Sequence, residues 1–210
     1  MDIRKLIETY KIESALAFDS IAMGSMEYFY EMIVEAYESE AKVFACGNGG
    51  NVASVHNFVL DLNMHPFVSE DKSRMSVRRN KFHAVNLCAD PAAITGMVND
   101  IGFDNIFAEQ LRYQARENDI LFAMSGSGNS KNIIAALKMA RVIGMKNVLI
   151  TRGENTEAET YSDLILRVRG VSVFPGNTGG NNNNFHYEDC VSKVSHIVVG
   201  LLKKYVQDAN

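Results

Sequence analysis

The sequence predicts an α/β fold: a three-layer α/β/α sandwich on a five-stranded parallel sheet, with extra helices at its N-terminal end. A recurring unit carries that prediction. It is a short apolar run, a turn rich in Gly, Ser or Asn, then an amphipathic helix, the pattern of parallel strands joined by crossover helices. The 210 residues contain 47% hydrophobic and 22% charged residues. No linker composition or internal repeat divides them, so one domain spanning 1–210 with a helical extension over 1–40 is expected.

Residues 13–38, ESALAFDSIAMGSMEYFYEMIVEAYE, hold no Pro and one Gly, and Leu16, Ile21, Phe29, Ile33 and Tyr37 fall near helical spacing. One long helix is expected there, after a shorter one around Ile3 to Tyr10. The candidate strands are Lys42 to Cys46, Phe82 to Leu87, Ile120 to Met124, Asn147 to Ile150 and Leu164 to Val168. Helices are expected from near Val52, from Lys131, and over the C-terminal stretch in which Val191, Val194, Ile197, Val198, Leu201, Leu202 and Tyr205 form one stripe. Gly170 to Asn184, GVSVFPGNTGGNNNN, is the one low-complexity stretch. Its composition predicts a flexible, solvated connection, with a lid over a site as the alternative.

Composition excludes several roles. Lys and Arg total 21 against 25 Asp and Glu, a net charge of −4 with no basic run, so direct nucleic-acid binding is not expected. No apolar run approaches the roughly 18 to 20 residues of a spanning helix, and MDIRKLIETY lacks the apolar core of a signal peptide. A cytoplasmic protein without membrane contact is expected. Cys46, Cys88 and Cys190 are scattered, which suits reduced core thiols.

Two turns stand out as anion-binding candidates. The first strand runs into Gly47-Asn48-Gly49-Gly50-Asn51, and the third into Ser125-Gly126-Ser127-Gly128-Asn129-Ser130. Glycine lets backbone N–H groups approach a ligand, and a following helix N-terminus adds free donors and partial positive charge. Three serine hydroxyls suit a phosphate monoester. Neither turn is a nucleotide-binding P-loop or a dinucleotide fingerprint.

The run LFAMSGSGNSKNIIAALKMARVIGMKNVLITR resembles the phosphosugar-binding core of SIS (sugar isomerase) domains. VFACGNGGN and ITGMVNDIGFDNIFAEQL are similar to the sedoheptulose 7-phosphate (phosphoheptose) isomerases, and the resemblance extends from the first long helix to the last. It implies an aldose–ketose isomerase that forms an enediol on a phosphorylated sugar and works as a homotetramer, with its active site at a subunit interface. SIS domains also serve as non-catalytic sugar-phosphate sensors or partner-binding regulators, the second class to consider.

The resemblance also implies residue roles. Asp61 stands in place of the family's catalytic glutamate and His196 matches its histidine, so Asp61 is expected as general base and His196 as general acid. Glu188 is the second candidate base. Ser125, Ser127 and Ser130 match phosphate-binding serines, Asp100 matches a substrate-site aspartate, and Asn51 occupies the place of a substrate-contacting serine. Asn48, Gly49, Gly50 and Asn129 complete the expected binding set. Zinc is the candidate cofactor, on Asp61, Glu188 and His196. Against this, Asn57 replaces a histidine ligand of zinc-binding members, Glu188 replaces a glutamine, and His56 lies one residue out of register. Read without the resemblance, the polar faces bearing Asn57 and Asp61, and Glu188, Asp189, Ser192 and His196, are ordinary solvated helix faces. His65, His83 and His186 suit structural or solvated roles.

Overall fold

The computed structural model describes residues 2–75 and 82–208. Its sheet is five-stranded and wholly parallel, in the order β2-β1-β3-β4-β5. The strands are β1 (Lys42–Gly47), β2 (His83–Asn86), β3 (Ile120–Met124), β4 (Lys146–Thr151) and β5 (Leu164–Arg167), each within two residues of its predicted bounds. Of the predicted second strand, Phe82 and Leu87 fall just outside.

Among the described residues, seven α-helices flank the sheet: α1 (Ile3–Asp19), α2 (Met23–Ser39), α3 (Gly50–Met64), α4 (Pro91–Ile101), α5 (Ile106–Gln114), α6 (Lys131–Ile143) and α7 (Asn184–Asp208). Alternation along the strands assigns them to two faces. Val43, Ala45, Ile120, Phe122, Met124, Val148 and Ile150 pack under α1, α2, α3 and α7. Phe44, Cys46, Leu121, Ala123 and Leu149 pack under α5 and α6, with Ile94 and Met97 of α4 at the margin. Three layers result. Cys46 and Cys190 are buried and Cys88 is half-buried, all three free thiols, and burial raises each thiol pKa.

Three expectations need correction. The helix predicted across 13–38 is broken at Ser20 to Ala22. Ser20 Oγ donates to the Ala17 carbonyl at 2.6 Å and accepts from the Arg169 backbone N–H at 2.7 Å, while Ile21 turns into the core. The C-terminal stripe is also rotated. Ser195 and Val199 are buried, and Ile197 and Leu201 are exposed.

The Gly/Asn stretch is not simply solvated: Ser172, Asn177 and Asn183 are buried. Its backbone needs are met by its own side chains, with Asn177 Oδ1 accepting from Phe185 N–H and Asn182 Oδ1 from Ser172 N–H. It is also clamped by α1. Glu13 accepts from Ser172 Oγ at 2.6 Å and Val173 N–H at 2.9 Å, and its Oε2 lies 3.1 Å from Nε2 of the buried His186.

Burial pushes the Glu13 carboxyl up, but these partners outweigh it and hold its pKa below the ordinary carboxylate value. A depressed native pKa means that the clamp's contribution is full above the unfolded-state value of about 4.3 and is lost as pH falls through the native value. Glu13→Gln is expected to cost about 1–3 kcal/mol at pH 7. In urea melts, its deficit relative to wild type should shrink as pH is taken below about 4; a deficit constant with pH would refute the clamp.

Candidate active site

In a parallel sheet ordered this way, the chain leaves β1 towards β2 but re-enters on the other side at β3. The loops after β1 and β3 therefore diverge and open a crevice at the carboxyl ends of the strands, where such folds bind ligands. Both Gly-rich turns lie there. They are joined by a reciprocal amide pair, in which Asn48 Nδ2 donates to Asn132 Oδ1 and Asn132 Nδ2 donates to Asn48 Oδ1, each at 2.8 Å. Asn48 thus spends its side chain on spacing the loops.

The first turns of α7 lie across both loops. Tyr187 is fully buried, with its hydroxyl 3.1 Å from Asn51 Oδ1 and 3.3 Å from the Ile150 carbonyl. Burial, and then Glu188, push the Tyr187 pKa up, and Arg152 opposes them. Asn51 is buried under this contact. A Cβ on Gly126 would stand 3.0 Å from Asn184 Oδ1 and 3.3 Å from the Tyr187 ring. A Cβ on Gly50 would stand 2.7 Å from Glu188 Oε1, so a side chain there would displace that carboxylate. Asn184 Nδ2 steadies Glu188 by donating to Oε1 at 3.0 Å.

The two loops are therefore unequal. Gly49, at φ 57° and ψ −124°, starts α3 without a side-chain cap, and Glu188 already brings negative charge to that helix end, where the dipole favours it. Ser130 starts α6, also without a side-chain cap, and no carboxylate of α7 covers it in the same way. Ser125 is buried and its Oγ accepts from Gly128 N–H, a turn-forming role. Ser127 is exposed, its Oγ accepting from Asn129 N–H at 3.2 Å, and Asn129 Nδ2 donates to the Ser127 carbonyl. Ser127, Ser130 and the start of α6 form an accessible corner of hydroxyls and free backbone N–H groups, chemistry suited to an anion.

Asp61 and His196 come together elsewhere. Asp61 Oδ2 lies 3.7 Å from His196 Nε2, and Asp61 Oδ1 lies 3.3 Å from Nε2 of His65. His65, for which the sequence suggests only a structural or solvated role, faces Asp61 from the C-cap of α3, four residues on. The spacing i,i+4 is the signal that could have found it. Asp61 is eleven residues beyond Gly50, about 16 Å along the helix, and Glu188 sits against Gly50. The expected zinc set of Asp61, Glu188 and His196 therefore does not converge within one chain, and among the described residues no group of three or more His, Cys, Asp or Glu side chains could hold a metal. Asp100 stands on the exposed side of α4, bonded by the Asn99 amide, beside a cavity of about 410 Å³ between α4 and α5. It does not line the smaller cavity of about 220 Å³ that adjoins Asn48 and Gly49.

This crevice on this sheet is that of the SIS domain, whose family model matches residues 16–152. The phosphoheptose isomerase of Chlorobaculum parvum is 31% identical over 172 residues, 82% of this chain and 74% of that protein. The chain therefore belongs to the phosphoheptose isomerase family of SIS-domain proteins. The structure of a phosphoheptose isomerase from Francisella tularensis superposes with a TM-score of 0.78 at 24% identity, covering 97% of this chain and all of that one. The fold also matches the Vibrio vulnificus NanR protein complexed with ManNAc-6P, with a TM-score of 0.62 and 14% identity over 98% of this chain and 63% of that one. No helix among the described residues is long and apolar enough to cross a membrane.

Tyr187→Phe would leave Asn51 Oδ1 without its buried donor, while the Ile150 carbonyl keeps the Ser125 N–H at 3.2 Å, at a cost of about 1–3 kcal/mol. Urea denaturation should show that loss as a lower midpoint with unchanged slope.

Proposed function

We propose that the protein is an aldose–ketose isomerase of a phosphorylated sugar of the sedoheptulose 7-phosphate type, acting through an enediol. The observation that carries this reading is the uncapped, serine-bearing start of α6 at the strand-order crevice. It supplies hydroxyls and backbone N–H groups to a phosphate, while carboxylate and imidazole groups stand on adjoining faces.

The chemistry needs a base to take the proton from the carbon beside the carbonyl, and an acid to protonate the carbonyl oxygen as the enediol forms. The protonated base then delivers its proton to the former carbonyl carbon, while the conjugate base of the acid removes the proton from the other enediol hydroxyl, whose oxygen becomes the new carbonyl. Asp61 beside His196 has the composition of such a pair, with the carboxylate as base and the imidazolium as acid. About 16 Å of helix separates Asp61 from the loops of its own chain, more than an extended seven-carbon sugar phosphate spans. The pair therefore serves a phosphate seated on a second copy of the chain, whose Glu188 reaches the same substrate. The surface supports assembly. Leu60, Met64, Ile197 and Leu201 are exposed around Asp61 and His196, and α1 exposes Ile3, Ile7, Ile12 and Leu16, apolar area of the kind that marks an interface. A homotetramer accommodates both surfaces. Because the three expected ligands do not converge in one chain, no step is assigned to zinc.

The regulator class keeps one observation in its favour: Asn57 stands where the zinc-binding relatives carry a ligand histidine, and it is solvent-exposed. Chemistry separates the classes. With five- to seven-carbon sugar phosphates in deuterated water, wild type should incorporate label beside the carbonyl, and Asp61→Asn should lower kcat by at least about 100-fold. Full exchange in Asp61→Asn transfers the base role to Glu188, and no exchange in wild type with any substrate makes the protein a binding module. Ser127→Ala should weaken sugar-phosphate binding by about 1–3 kcal/mol in calorimetry, and unchanged affinity would refute the phosphate corner. Mixing Asp61→Asn with Ser127→Ala chains under conditions that allow subunit exchange should restore activity above either variant, since some sites then combine an intact Asp61 with an intact serine loop. No recovery in confirmed mixed assemblies would refute the shared site.

A further inference from the structure

The serine corner has hydroxyls and N–H groups but no committed cation. Lys131, at the start of α6, is largely exposed and lies 3.9 Å from Asp104. The nearest alternative is Arg152, immediately after β4, which no sequence motif singled out. Its backbone N–H donates to the Gly126 carbonyl at 3.2 Å, so its backbone adjoins the serine loop.

Arg152 is half-buried and under-satisfied. Nη2 donates to the Gly180 carbonyl at 3.1 Å, Nε is buried without an acceptor, and among the described residues no carboxylate pairs with it. At the same end of the sheet, Arg167 shows the usual arrangement, with Nη2 2.6 Å from Glu159 Oε2 and Nη1 3.3 Å from Oε1. Arg169 has Glu154 at 3.4 Å. A partly desolvated guanidinium without counter-charge is costly, and its fork geometry is matched to phosphate. Arg152 also walls a cavity of about 460 Å³ at the carboxyl ends of β4 and β5. Rotation about its side-chain bonds can thus carry the guanidinium from Gly180 towards the serine loop that its backbone adjoins.

We propose that Arg152 is a further ligand-binding residue, the counter-charge for the phosphate of a sugar phosphate seated on the serine loop. The inference rests on the phosphosugar reading above, and binding tests it separately from isomerisation. Inorganic phosphate and sedoheptulose 7-phosphate are titrated into the full chain by calorimetry, with thermal melts in their absence. Arg152→Met should raise both Kd values at least about tenfold while leaving the ligand-free melting temperature unchanged or higher, because an unsatisfied donor is removed. Arg152→Gln, which keeps a donor for Gly180 but no charge, should show the same loss, and Arg152→Lys should recover part of it. Unchanged Kd values in the Met and Gln variants would overturn the inference, as would a lowered ligand-free melting temperature with unchanged Kd, the mark of a purely structural tether. If Ser127→Ala weakens binding and the Arg152 variants do not, the serine corner stands and this role falls. If the Arg152 variants lose affinity although wild type exchanges no deuterium, this role stands without the isomerase.

Discussion

The hydroxyl of Tyr187 fixes the geometry on which the site depends. It is buried where three elements meet, bonded to the first turn of α3 through Asn51 and to the end of β4 through the Ile150 carbonyl. A buried phenol must find such partners, so the start of α7 has one low-energy placement over the sheet. From that placement the rest follows. Asn184 rests on Gly126, Glu188 on Gly50, and the following turns of α7 bring His196 beside Asp61. One helix thus serves two separate groups of polar residues along its length.

The separation has an electrostatic logic. Glu188 brings negative charge to the start of α3, where the helix dipole favours it, and leaves the start of α6 as the uncovered helix end. The pair of Asp61 and His196 stands at the far end of α3, away from both loops of its own chain. Apolar side chains surround the pair, and a second copy covering them would remove water and strengthen each remaining interaction.

Much of the architecture was legible in the chain. β1, β3 and β4 are buried on both faces, and their continuous apolar runs have little other use in a chain of this composition. The two Gly-rich turns were legible because glycine has few other reasons to cluster after a strand. What escaped depends on partners far away in sequence. Ser20, Ile21 and Ala22 continue a helical pattern, and the break is imposed by Arg169, 149 residues on. The Gly/Asn stretch is poor in apolar residues, yet Asn177, Asn182 and Glu13 satisfy its backbone, which composition cannot register. Asp61 and His196 were found by resemblance and do adjoin. Their distance from Glu188 was illegible because a helical wheel records angle and discards height: two polar faces can be aligned and still lie three turns apart.

The crossed amides of Asn48 and Asn132 set the width of the crevice with groups that carry no charge. Neither titrates in the range where proteins work, and ionic strength acts on them only weakly. The spacing between the two loops is thus insulated from changes in the medium that would loosen a frame built from ion pairs.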